Sequence, residues 1–102
     1  MRIPKHPTLL RRMRDARVKE LVARGPPLAA SLGRQLSGQY HVTLKRAGKT
    51  RTVYVPAALR KEVQASIQEH RRLRRLVAEI TQLQLALIRS YQTEQARRGG
   101  RI

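Results

Sequence analysis

The stretch Tyr40-His41-Val42-Thr43-Leu44-Lys45-Arg46-Ala47-Gly48-Lys49-Thr50-Arg51-Thr52-Val53-Tyr54-Val55-Pro56 decides the fold class. Tyr40, Val42 and Leu44 alternate with His41, Thr43 and Lys45, and the alternation resumes from Thr50 to Val55. Period-two patterning on both sides of a glycine-containing turn is the signature of a β-hairpin. A two-residue loop at Ala47-Gly48 sets Val42 against Val53 and Tyr40 against Val55. One face then collects Tyr40, Val42, Leu44, Val53 and Val55; the other collects His41, Thr43, Lys45, Thr50, Thr52 and Tyr54. A slip of one residue would mix the two sets, so the partition supports this register. A lone two-stranded hairpin is marginal in water, and its apolar face has to rest on a helix.

The flanks supply the helices. Residues 1–7 carry two prolines and read as a flexible basic arm. Thr8 is the predicted N-cap of a helix over 9–23, which stops at Gly25-Pro26-Pro27. Residues 28–39 are ambiguous. Leu28, Leu32 and Leu36 recur every four residues and suit a short helix, while Gly33, Ser37 and Gly38 weaken it. After Pro56 neither Gly nor Pro occurs as far as Ala96, and good helix formers predict a long helix over 57–95. Leu59, Val63 and Ile67 form one row along it. Leu73, Leu76, Val77, Ile80, Leu83, Leu87, Ile88 and Tyr91 cover a different arc. The first half therefore packs on the hairpin and the second on another helix. Residues 97–102 read as a frayed basic tail. The expected fold is α+β and mostly α, with an N-terminal helix, one β-hairpin and a long C-terminal helix in a single small domain over 8–96.

Charge and composition narrow the function. The 102 residues hold 23 Lys and Arg against 6 Asp and Glu, a formal net charge of +17. Self-repulsion on that scale opposes compaction, so a neutralising partner is expected. Three Tyr and no Phe or Trp leave a small core of Leu, Val, Ile and Ala. A large enzyme with a deep pocket is excluded. The absence of cysteine removes disulfides, thiolate metal sites and thiol catalysis, and favours the reducing cytoplasm. No apolar run approaches the ~20 residues that span a bilayer. The first residues lack the apolar stretch of a secretory signal.

Catalytic signatures are weak. Gly48-Lys49-Thr50 ends like a phosphate-binding loop, but the earlier Gly is missing and a strand follows instead of a helix. Asp15, Glu20, Glu62, Glu69, Glu79 and Glu94 are spread along helices, whereas two-metal chemistry needs carboxylates converging on ions ~4 Å apart. They read as solvated positions pairing with Arg. His6, His41 and His70 are dispersed. No enzymatic activity, metal or cofactor is expected.

Four basic clusters remain. Arg11, Arg12 and Arg14 lie in the first helix, and Lys45, Arg46, Lys49 and Arg51 ring the hairpin tip. Arg71, Arg72, Arg74 and Arg75 lie in the long helix, and Arg97, Arg98 and Arg101 end the chain. An isolated run of this kind is usually a solvated face. Four runs with so little balancing acid point to a polyanion, and Arg in excess of Lys favours bidentate binding of phosphate. Arg11, Arg12, Arg14, Lys45, Arg46, Lys49, Arg51, Arg71, Arg75, Arg97 and Arg98 are the candidate nucleic-acid contacts. A membrane surface is disfavoured because no Trp or Phe can anchor an apolar face. Duplex DNA is favoured over RNA, because the few aromatics offer little stacking for unpaired bases.

Gln39-Tyr40, Gly48-Lys49-Thr50-Arg51-Thr52-Val53-Tyr54-Val55-Pro56, Leu59, Val63, His70-Arg71-Arg72-Leu73 and Glu79-Ile80 together resemble a bacterial family of short basic proteins of unknown function. Members of that family are typically encoded beside transposases. The resemblance spans roughly residues 28–90, and it implies a mobile-element accessory protein without assigning any catalytic or binding residue. Many relatives carry a cysteine-rich segment before the hairpin, which this chain lacks.

The expected function is non-catalytic DNA binding as a mobile-element accessory. The alternatives are an assembly subunit docking on a transposase or other large partner through its long helix, and an RNA-binding ribonucleoprotein subunit. Leu73, Leu76, Val77, Ile80, Leu83, Leu87 and Tyr91 are the candidate protein interface, for self-association or for that larger partner. The stripe from Leu73 to Tyr91 runs ~27 Å, and a 15-residue first helix of ~22 Å cannot cover both it and the Leu59-Val63-Ile67 row.

Overall fold

A computed structural model describes residues 1–99. Its elements in chain order are α1 (Pro7–Glu20), β1 (Ser31–Arg34), β2 (Tyr40–Arg46), β3 (Lys49–Val55), a 3-10 turn (Ala57–Leu59) and α2 (Arg60–Gly99). The α+β class, the N-terminal helix, the hairpin and the long C-terminal helix are all present. The chain groups into two compact units, residues 1–22 with 74–102, and residues 23–73. α2 contributes its first part to one and its remainder to the other. Among the described residues no helix is long and apolar enough to cross a membrane.

In the unit over 23–73 the hairpin has the register read from its alternation: Tyr40 faces Val55, Val42 faces Val53 and Arg46 faces Lys49. Its turn is the two residues Ala47 (φ 53°) and Gly48 (φ 77°). Both lie in the left-handed region, as the tight hairpin turn that matches strand twist requires. Val42, Val55 and Ile67 of α2 are buried together, with Leu28, Leu32, Tyr40, Leu44 and Val63 packed around them. Of the expected row Leu59-Val63-Ile67, Val63 and Ile67 carry the hairpin, whereas Leu59 falls in the 3-10 turn before α2 and stays exposed. Val53 shares the core-facing side but sits on the outer strand and is half exposed.

Residues 28–39 correct the short-helix option. Ser31–Arg34 form a third strand antiparallel to β2, with Leu32 opposite Val42 and Gly33 opposite His41. The four-residue leucine spacing is split three ways. Leu28 donates its N–H to Ser66 O of α2 at 2.9 Å, Leu32 enters the sheet core, and Leu36 projects into solvent from the following turn. Gly38 closes that turn at φ 87°. A twelve-residue segment with two glycines nucleates a helix poorly. The open edge of β2 instead pairs with Ser31–Arg34.

In the unit formed by residues 1–22 and 74–102, α1 starts earlier and stops earlier than its sequence indicates. The N-cap is His6, not Thr8: His6 Nδ1 accepts from Thr8 N–H at 3.2 Å, and Pro7 takes the first helical position, where its missing N–H costs nothing. At the other end Leu21 N–H turns back to Val18 O, so the helix closes at Glu20 rather than at residue 23. Arg11 pairs with Tyr91, Arg14 with Gln84 and Arg17 with Glu79. Partners descending along α2 as α1 ascends make the two helices antiparallel. Leu10, Leu76 and Leu83 are fully buried in this unit. α2 extends to Gly99, which places Arg97 and Arg98 in the helix rather than in a frayed tail. Arg101 lies outside the described residues.

Candidate nucleic-acid interface

The hairpin turn brings four cations to one end of the sheet. Arg46 and Lys49 are direct cross-strand neighbours, Lys45 faces Thr50, and Arg51 faces Leu44. All four are exposed, and among the described residues none makes an ion pair or side-chain hydrogen bond. From Leu21 to Lys61 the chain contains no Asp or Glu, so the sheet offers these charges no internal counter-ion. Two like charges ~7 Å apart in water repel by about 0.6 kcal/mol. That cost is small enough to tolerate in the free protein, and a bound anion relieves it.

β1 pairs only with Tyr40–Thr43 of β2. Beyond that point Leu44–Arg46 and Lys49–Arg51 project as a two-stranded ribbon carrying the cluster. The two faces of the sheet differ. The side bearing Val42 and Val55 is covered by α2. The other side carries Thr43, Lys45, Thr50, Thr52 and Tyr54. His41 also points to that side, with its ring laid against Gly33, where a Cβ would lie 2.7 Å from His41 Nε2.

The opposite end of the sheet holds a basic feature that the sequence reading missed. Arg60 donates to Tyr40 Oη at 2.7 Å, and the guanidinium carbons of Arg34 and Arg60 lie 5.4 and 5.1 Å from the Tyr40 ring centroid. The Arg60 hydrogen bond lowers the Tyr40 pKa from its ordinary value; burial opposes this, and the Arg34 charge adds to it. The cross-strand pairing of Arg34 with Tyr40 was hidden because β1 itself was not recognised.

The other candidate contacts are less free. Arg11 stacks on and donates to Tyr91, Arg14 bonds Asp15 and Gln84, and Arg98 pairs with Glu94. Arg12, Arg71 and Arg75 are exposed, and Arg97 lines a shallow groove with Ile3, Leu85 and Arg89. Asp15, Glu69, Glu79 and Glu94 each pair with an Arg. Glu69 is nearly buried. Arg72 grips both its oxygens at 2.6 and 3.1 Å, and Arg24 N–H donates to it at 3.2 Å. The Arg72 hydrogen bonds pull its pKa below the usual carboxylate value, against the opposing effect of burial. Among the described residues no cluster of His, Asp or Glu has the makings of a metal site.

The candidate protein interface is divided. Leu76 and Leu83 are buried within the chain, and Leu73, Ile80 and Leu87 are partly covered. Val77 and Tyr91 stay about half exposed, alongside Leu85 and Ile88. Compared with known proteins, the chain matches no family model, no curated protein and no solved structure.

Proposed function

We propose that this chain is a non-catalytic nucleic-acid-binding protein, acting on duplex DNA in the cytoplasm and gripping phosphates through the hairpin tip. The observation that carries the reading is the cluster of Lys45, Arg46, Lys49 and Arg51 on a projecting ribbon in a sheet without a carboxylate. Phosphate contacts release condensed counter-ions, so log affinity falls linearly with log salt, with a slope near −0.9 per phosphate neutralised. Electrophoretic or fluorescence titrations at several salt concentrations test it. The Arg46→Ala/Lys49→Ala double variant is expected to flatten the slope by about 1.8 and to weaken binding, with the helical circular dichroism unchanged. Affinity that does not vary with salt, or a double variant that binds as the parent does, refutes the reading. The resemblance of residues 28–90 adds the proposal that this binding serves a mobile element.

A second reading rests on the stripe of Val77, Leu85, Ile88 and Tyr91, each about half exposed on α2. Exposed apolar residues grouped on one helix are a contact surface for another protein, either a second copy or a larger partner such as a transposase. Light scattering of the parent and of Ile88→Asp separates the cases. A parent dimer that the variant abolishes supports self-association, and a monomeric parent removes it.

A further inference from the structure

We infer that the β2–β3 ribbon reads base edges in the major groove of duplex DNA through the sheet face opposite α2, with Thr43, Lys45, Thr50 and Thr52 as the reading residues. This rests on the DNA-binding reading above and goes beyond phosphate contact to the mode of recognition.

Three observations select the face. The opposite side of the sheet is taken at its root by Val63 and Ile67 of α2, which pack on Val42 and Val55. The free side presents the cross-strand pairs Thr43–Thr52 and Lys45–Thr50 side by side. These residues carry hydroxyls that donate and accept, methyl groups and one ammonium, the chemistry that meets acceptors, donors and thymine methyls on base edges. Arg46, Lys49 and Arg51 belong to the other face of the ribbon, near its tip, where they reach phosphates on the groove walls while the threonines face inward. No carboxylate on the sheet opposes approach to the DNA.

The dimensions select the groove. Beyond Thr43 the element is two strands wide because β1 has ended. Strands ~4.8 Å apart with their side chains form a ribbon about 10 Å across, which the ~12 Å major groove of B-form DNA admits and the ~6 Å minor groove does not. The major groove of A-form RNA is too narrow and deep for side chains to read. Unpaired bases need aromatic platforms. On this face Tyr54 is exposed, while the His41 ring is already laid against Gly33.

The test selects bound duplexes from a random pool, then measures affinity for the enriched sequence and for a scrambled one. The Thr50→Val/Thr52→Val variant keeps shape and β-propensity while deleting two hydroxyls. Its preference for the enriched sequence is expected to fall at least about 5-fold at discrete positions, with the salt slope unchanged. Arg46→Ala/Lys49→Ala is expected to weaken both duplexes equally. Dimethyl sulfate footprinting on the enriched site should protect guanine N7, which lies in the major groove. Protection confined to adenine N3, in the minor groove, overturns the inference. So does duplex binding with no enriched sequence, or a threonine variant that keeps the full preference, and each of these leaves DNA binding itself intact. Absence of duplex binding, or preference for structured RNA, overturns both readings together.

Discussion

Ala47 is the residue whose backbone is least suited to its place. A φ of 53° puts a side chain with a Cβ in the left-handed region, which costs roughly 1–2 kcal/mol for residues other than Gly and less for Asn. Ala47→Asn is expected to stabilise the unit by about 0.5–1 kcal/mol, seen as a higher urea midpoint at unchanged slope. Gly33 is constrained by its neighbour instead. Gly33→Ala should cost about 1–3 kcal/mol, because the new methyl meets the His41 ring. That cost should shrink in a His41→Ala background, and an equal cost in both backgrounds would place the strain elsewhere. Glu69 sets a pH dependence. Its folded pKa lies below its unfolded value, so its contribution to stability is present above about pH 4.5 and is lost as pH falls through the folded value. The melting temperature of the parent should therefore drop more between pH 6 and 3 than that of Glu69→Gln.

At the scale of elements, the antiparallel pair of α1 and the distal part of α2 is held by two kinds of contact of unequal weight. Leu83, only 1% exposed, is expected to cost about 2–5 kcal/mol when cut to Ala. The Arg17–Glu79 pair at 2.8 Å is roughly a quarter exposed on both sides. Breaking it with Arg17→Ala should cost at most about 1 kcal/mol, because water screens the charges. Urea unfolding of the two variants decides the order. A larger loss from Arg17→Ala would mean that polar contacts, not leucine burial, hold the pair. The sheet shows a related economy at its edge. β3 has a free edge lined near the tip by Lys49 and Arg51, and those charges deter edge-to-edge pairing with another chain while serving the proposed contact with phosphate.

At the scale of the whole molecule, charge dominates. A formal net charge of +17 on 102 residues means that folding works against self-repulsion. In the absence of nucleic acid, raising salt from 20 to 300 mM is expected to raise the melting temperature, because the screening length shortens to below ~10 Å. A melting temperature that falls over that range would show that the Arg–carboxylate pairs outweigh the repulsion. A polyanion such as heparin should stabilise further by mass action.

The amino-acid sequence by itself determined the hairpin, its register, the basic tip and the long helix, because each depends on neighbours within a few residues. Alternation and a two-residue turn settle Val42 against Val53, and forty residues free of Gly and Pro settle α2. The tip cluster was legible for the same reason, since one tight turn assembles it. Tertiary structure decided β1. The Leu28-Leu32-Leu36 spacing reads as helix until the open edge of β2 supplies backbone partners that a short, glycine-containing helix lacks. It also decided the Arg34–Tyr40–Arg60 cluster, in which β1 sets Arg34 opposite Tyr40 and Arg60 reaches the same ring from twenty residues further along the chain. The division of the leucine stripe was settled there as well: a helical period shows that Leu76, Leu83 and Ile88 face outward from the axis, but only the packing of α1 selects which of them leave water.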